Sequence, residues 1–260
     1  MGRENRRLAG WATLVAILGI AVMVRVVPTW HTVGSSPELT LLNADGFYQL
    51  RQAEFTVKNF PTLQRKDPWT HYPTGQTDPG IGLHTLLVAG LSQLAPSTYV
   101  DVALWTSVAL GLATIAVVMV ITARLARAPW WAGFLLLLFP GGFLIQTTLG
   151  VIDHHAAECL LAVLTGAGLA YLITRERITW LQATYASAPL AAFSFTWLGA
   201  PLYVIIAAAT LYIVGIIGIA ARLEAPNVKQ VALYGISLAV WVGVLGIVFP
   251  NLIISPRSHY

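Results

Sequence analysis

Charge is scarce in this sequence. Only 10% of its 260 residues are Asp, Glu, Lys or Arg, against about 25% in a soluble domain. So few ionisable groups cannot cover a surface that faces water. The 57% hydrophobic content and the mean hydropathy of +0.71 agree. Cysteine is nearly absent: Cys159 stands alone, which excludes an internal disulfide and a cysteine-based zinc site. It lies in an apolar run and reads as a small core residue. No Lys/Arg-rich run of the kind that binds nucleic acid occurs, so nucleic acid is excluded as a partner. The sequence also lacks a nucleotide-binding glycine motif, an internal repeat and a low-complexity segment.

What the chain has instead is apolar length. A bilayer crossing takes about 20 apolar residues. Runs near that length fall at 8–28, 98–123, 130–149, 156–174, 179–198, 201–221 and 231–249. The first follows Arg3, Arg6 and Arg7 but is too long for a typical signal core, so it reads as a span. Pro201 marks the turn between the fifth and sixth runs. The expectation is an all-α, polytopic bundle of about seven spans. One further apolar stretch, 81–95, is shorter, contains His84 and follows Asp78-Pro79-Gly80.

The distribution of basic residues decides how 81–95 lies. Suppose the N-terminus is cytoplasmic. If 81–95 does not cross, Arg124 and Arg127, Arg175 and Arg177, and Arg222 and Lys229 all fall in cytoplasmic loops. If it does cross, each of those loops moves outside and violates the rule. The region 29–97 therefore reads as one long external loop bearing short helices, and 150–155 as a second short loop on the same face. That face collects Glu38, Asp45, Glu54, Asp67, Asp78, Asp101, Asp153 and Glu158. The expected location is a cell membrane, multi-pass, with these loops extracytoplasmic.

Three stretches carry the polar chemistry. Asn43-Ala44-Asp45-Gly46-Phe47-Tyr48-Gln49-Leu50-Arg51 follows the first span. Asp45 there is either a helix-capping residue or a ligand. Gly150-Val151-Ile152-Asp153-His154-His155-Ala156-Ala157-Glu158 lies between two strongly apolar runs. Asp153 and His155, at i and i+2, can point to one side of an extended loop, and carboxylate plus imidazole suits Mn²⁺, Zn²⁺ or Mg²⁺. The alternative is that Asp153 caps the next helix while the histidines sit in the interface. Asp67-Pro68-Trp69-Thr70-His71-Tyr72-Pro73-Thr74-Gly75 is rich in proline and aromatics and reads as a rigid loop. Arg25, near the outer end of the first span, reads as snorkelling to the interface or binding a lipid phosphate.

In this order, the three stretches resemble the catalytic subunit family of oligosaccharyltransferase, most closely its archaeal single-subunit members of the AglB type. Trp197-Leu198-Gly199-Ala200-Pro201-Leu202 is a weaker fourth match. The resemblance covers essentially the whole chain but only the N-terminal half of the family, whose later external loop and C-terminal soluble domain find no counterpart. It implies a multi-span glycosyltransferase of the GT-C type. It implies a divalent cation, Mn²⁺ or Mg²⁺ with Zn²⁺ also compatible, held by Asp45, Asp153 and His155. Asp45 would also contact the acceptor amide. The reaction implied is transfer of an oligosaccharide from a polyprenyl (dolichol) phosphate or diphosphate carrier to asparagine in Asn-x-Ser/Thr. The partners implied are that lipid-linked glycan, an acceptor protein or peptide, and membrane lipid. Arg51, His154, Gln146 and Tyr72 are candidate substrate-binding residues. The family places Arg seven positions before the second-loop Asp, where this chain has Gln146. By itself the chain is expected to be inactive.

Two other readings compete. One is a transferase that moves a different group from a polyprenyl phosphate. The other is an ion- or proton-coupled transporter using Asp153 and the histidines as a relay. A transporter calls for mid-membrane charges and repeated halves, whereas here the charges gather at one face.

Overall fold

The computed structural model describes residues 3–35, 38–77, 82–125, 129–138, 141–175, 177–196, 199–220 and 228–248. Asp78, Arg127, Trp197, Leu198 and Arg222, which enter the sequence reading, lie outside these. The described helices are α1 (Arg3–Val26), α2 (Ala44–Lys58), α3 (Leu83–Leu94), α4 (Tyr99–Leu125), α5 (Pro129–Leu138), α6 (Gly142–Gln146), α7 (His155–Ile173), α8 (Trp180–Ser194), α9 (Ala200–Ala220) and α10 (Val228–Val248). A 3-10 turn, Val27–Thr29, and a π-helical turn, Trp30–Gly34, extend α1. The only sheet among the described residues is a small antiparallel hairpin, β1 (Lys66–Asp67) with β2 (Gln76–Thr77), pairing Lys66 with Thr77 and Asp67 with Gln76.

Each of the seven apolar runs holds a helix among the described residues, as runs with little charge should. Four stretches among the described residues are long and apolar enough to cross a membrane: Ala9–Gly34, Tyr99–Arg124, His155–Ile173 and Lys229–Val248. The span expected at 130–149 is not one helix. It is α5 and α6 with a break between. Pro140 has no N–H to donate, and Gly141-Gly142 follows it. Gly141 is extended, at φ −86° and ψ −170°, where α6 begins. At 12 residues, α3 is about 18 Å long, well short of the ~30 Å hydrocarbon core.

The chain divides into two compact units. The first comprises Met1–Glu54 and Leu91–Leu160, the second Phe55–Gly90 and Leu161–Tyr260. In the first unit, α1 packs on α4 and α5. Ile17 and Ala21 of α1 meet Ile115 and Met119 of α4 and Leu137 of α5, flanked by Leu14, Leu18 and Phe143. The α1 residues recur every three or four positions, the stripe a helix buries on a neighbour. Outside that stripe, Trp11, Val15, Ile20 and Met23 are exposed. That is the surface a lipid-facing helix presents.

In the second unit, α8 packs between α9 and α10 over Leu172, Leu190, Ala207 and Tyr234. The α8 N-terminus carries a reciprocal capping box between Thr179 and Gln182, which satisfies two otherwise orphaned N–H groups. Polar side chains pin the bundle: Trp241 Nε1 donates to the Thr184 carbonyl at 2.9 Å, and Gln230 Nε2 to that of Arg175 at 2.6 Å. The segment around Leu63 and the start of α3 join this bundle at one end. Leu63 and Leu86 cluster with Phe195, just past α8, and with Leu245, late in α10. The Leu83 N–H donates to the Phe195 carbonyl at 3.1 Å.

The Asp67 stretch is part of this second unit and is an organised turn. Asp67, 2% exposed, accepts from the Trp69 N–H at 3.0 Å and the Thr70 hydroxyl at 2.8 Å. Tyr72 and Trp69 are both exposed and stack at 6.4 Å between ring centroids.

Candidate metal centre

Every other candidate site residue belongs to the first unit, where a short backbone ladder links the segments that carry them. The Leu149 N–H donates to the Arg25 carbonyl at 3.0 Å, and the Leu42 N–H donates to the Gly150 carbonyl at 2.9 Å. Leu42 lies three residues before Asp45, and Gly150 three before Asp153. One hydrogen bond thus ties the segments of Asp45 and Asp153 at matching points. Gly150 is required there. Its φ is +94°, and a Cβ would sit 2.6 Å from Val33 Cγ2, so both conformation and space favour glycine.

Beyond Gly150 the chain runs into Asp153, 3% exposed, and then into α7. Asp153 Oδ1 accepts from the His154 N–H at 2.7 Å and lies 2.7 Å from His154 Nδ1. Its Oδ2 is 3.8 Å from His155 Nε2. The two imidazoles tilt over one another at 4.5 Å between centroids. Ligand atoms of Asp153, His154 and His155 all lie within 4.8 Å of one another.

A fourth residue completes the group. Glu158 Oε2 is 3.0 Å from His155 Nδ1. Its Oε1 is 3.1 Å from His154 Nε2, close enough for an ion pair but not aligned as a hydrogen bond. The sequence reading included Glu158 in the stretch without giving it a site role. The signal was its spacing, since i+3 and i+4 on a helix face the same side.

Electrostatics follow from this packing. Burial alone would lower the pKa of His154, but its contacts with Asp153 and Glu158 and their negative charges outweigh burial and raise it to about 9. Burial would raise the Asp153 carboxyl, yet the His154 hydrogen bond and the charges of both histidines bring it below its usual value.

The donor set fits a divalent cation. A buried carboxylate and the His155 imidazole on one short turn match Zn²⁺ or Mn²⁺. Glu158 on the far nitrogen of His155 is the outer carboxylate that orients such a ligand.

The remaining candidates are placed as follows. Asp45 is in the first turn of α2 and exposed, outside the cluster of ligand atoms. The ladder, not side-chain contact, brings its segment to the second loop. Arg51 lies on α2 with its guanidinium 5.8 Å from the Tyr48 ring. Gln146 ends α6, half-buried. Tyr72 is in the second unit, in the hairpin described above.

Comparison with known proteins gives the family. Residues 15–258 match the model described as oligosaccharyl transferase STT3, N-terminal. The dolichyl-monophosphooligosaccharide–protein glycotransferase AglB of Haloferax volcanii is 29% identical over 151 residues, 52% of this chain and 14% of that protein. Two crystal structures of the Archaeoglobus fulgidus oligosaccharyltransferase share the fold. The complex with Zn and sulfate gives a TM-score of 0.78 at 22% identity, covering 94% of this chain and 33% of that one. The form tethered to an acceptor peptide containing the NVT sequon gives 0.81 at 21% identity, covering 95% and 31%. The chain therefore spans about a third or less of each of these proteins.

Proposed function

Because the chain belongs to the oligosaccharyl transferase STT3 family, N-terminal part, and is a membrane protein, we propose that it carries the divalent-cation site of a lipid-linked glycosyl transfer. The donor is an oligosaccharide on a polyprenyl (dolichol) phosphate or diphosphate, and the acceptor is asparagine in Asn-x-Ser/Thr. The observation that carries this reading is the Asp153-His154-His155-Glu158 cluster, with the Asp45 segment bonded to its approach at Leu42 and Gly150.

The chemistry explains the residue types. An amide nitrogen is a weak nucleophile, so a carboxylate must hold and polarise it. Asp45, exposed at the start of α2, is the group free to accept hydrogen bonds from such an amide. A bound cation would supply charge neutralisation for the phosphate leaving group. Asp153 and His155 would hold it, with Asp45 as the ligand from the other segment. The His154 imidazolium adds positive charge on the same turn, which favours a phosphate.

The orientation proposed for the chain has a cytoplasmic N-terminus and both ligand segments on the extracytoplasmic face of the cell membrane. The shortness of α3 supports it. So does the cluster that joins Leu63 and Leu86 to the ends of α8 and α10, since those ends fall on the same face in this orientation.

Isothermal titration of the purified chain with Mn²⁺, Zn²⁺ and Mg²⁺ tests the reading. One ion should bind per chain, and Asp153→Asn and Asp45→Asn should each weaken it. Equal binding by the unaltered chain and both variants rules out a shared site.

A further inference from the structure

Arg25 is the largest fully buried side chain among the described residues, at 0% exposure. It does not snorkel, and it is not placed to reach a lipid phosphate at the interface. No carboxylate pairs with it among the described residues. Its Nε donates to Thr147 Oγ1 at 2.8 Å and its Nη1 to the Ala21 carbonyl at 3.3 Å. Its Nη2 is buried without a hydrogen-bond partner among the described residues. The guanidinium carbon lies 5.1 Å from the centroid of the Phe143 ring. The Arg25 carbonyl accepts from the Leu149 N–H at 3.0 Å.

Except for the bond to Ala21, within α1, these contacts fall on residues 143–149, the segment that delivers Gly150 and Asp153. That segment has little hold of its own. Helix α6 has five residues and no side-chain cap, and a single helical turn does not persist unaided. Thr147 is also pressed against Gly111 of α4, where a Cβ would come within 2.5 Å of Thr147 Cβ. It is held between that glycine and the Arg25 side chain. A buried charge is a costly way to fill space in an apolar bundle. A Leu or Met would pack there without the desolvation cost, but neither donates to Thr147.

We propose that Arg25 is a positioning residue: by gripping Phe143, Thr147 and Leu149 it fixes the backbone that presents Asp153, His154 and His155. This rests on the cation-site reading above. Arg25 touches neither cation nor substrate and acts through Thr147 and the Leu149 amide.

The test uses the full chain and four variants, Arg25→Met, Arg25→Lys, Thr147→Val and Thr147→Ser. Two readouts are taken: Mn²⁺ affinity by titration, and backbone hydrogen exchange by mass spectrometry. In Arg25→Met and Thr147→Val, exchange over 147–151 should quicken while that of α8 and α10 is unchanged. Mn²⁺ binding should weaken about tenfold, the lower end of what losing an outer support costs a metal site. Thr147→Ser keeps the hydroxyl and should behave as the unaltered chain. Arg25→Lys keeps the charge but loses the planar fork and should behave as Arg25→Met. Should Arg25→Met fail to fold, the Thr147→Val and Thr147→Ser pair decides alone. Unchanged exchange and affinity overturn the proposal, as does faster exchange spread evenly over both units. If the unaltered chain takes up no Mn²⁺, the cation-site reading fails, and the exchange comparison still decides whether Arg25 holds the loop.

Discussion

Glu158 Oε2 lies 3.0 Å from His155 Nδ1, one turn further along α7. That contact leaves Nε2, 3.8 Å from Asp153 Oδ2, as the nitrogen turned toward the carboxylate. A histidine so held offers one defined lone pair to a cation. Glu158→Ala should weaken Mn²⁺ or Zn²⁺ binding by about 10- to 100-fold, read by titration calorimetry, with the helical circular dichroism unchanged. Asp101→Asn is the control. Asp101 is bonded to Thr98 at the start of α4, so losing its charge should leave metal affinity alone. Equal affinity in Glu158→Ala and the unaltered chain would show that His155 needs no orienting partner.

The His154 imidazole sets a pH dependence. Its folded pKa of about 9 lies above the ordinary ~6.5. The ionised pair therefore contributes fully below about pH 6.5 and is lost as pH rises through about 9, with a total on the order of 3 kcal/mol. The thermal unfolding temperature of the chelator-treated protein should fall across that window, and His154→Gln should flatten the fall. A cation held by Asp153 competes with the same proton. Metal uptake at pH 8 should then release a proton, detectable as a heat that varies with the buffer's ionisation enthalpy.

Asp67 makes a different prediction because it accepts two bonds within its own turn. It accepts from the Trp69 N–H and the Thr70 hydroxyl, so it organises the hairpin tip. Asp67→Ala leaves both donors to water and should speed hydrogen exchange over 66–77. The expected cost is about 1–2 kcal/mol, with metal affinity unchanged. A loss of metal binding in this variant would mean that the hairpin supports the cluster.

The fold was legible where the signal is local and long. Apolar length without charge foretells a helix in each of the seven runs, and the 81–95 stretch holds the 12-residue α3. The break at Gly141 is also written locally, in Pro140-Gly141-Gly142, but the apolar character on both sides masks it. In sequence Arg25 looks interfacial, because its chief partner, Thr147, is 122 positions away. Nothing in the local pattern of α1 points to it. Glu158 was visible as a residue but not as a role. Its two contacts need both histidines to turn toward α7, and sequence spacing permits that without requiring it. Asp45 and Asp153 were assigned to one site from topology and resemblance. The Leu42–Gly150 hydrogen bond supplies a physical link between their segments, although Asp45 itself stands outside the cluster.

Gly150 is where the backbone ladder can be broken most directly. Its carbonyl receives the Leu42 N–H, its φ is +94°, and a Cβ there would meet Val33 at 2.6 Å and Leu42 at 3.2 Å. Gly150→Ala adds that atom, so either the φ relaxes or Val33 and Leu42 retreat. Either response should disturb the bond between the two segments. Strain of this kind costs about 1–3 kcal/mol, a fall in unfolding temperature that differential scanning calorimetry can read. The more telling outcome is coupling. If the ladder sets the separation of Asp45 and Asp153, Gly150→Ala weakens the metal, and adding Asp45→Asn weakens it little further, because the segment carrying Asp45 has already moved away. Purely additive losses in the double variant would mean that Gly150 matters only for stability, and that the two segments find the cation independently of their backbone bond.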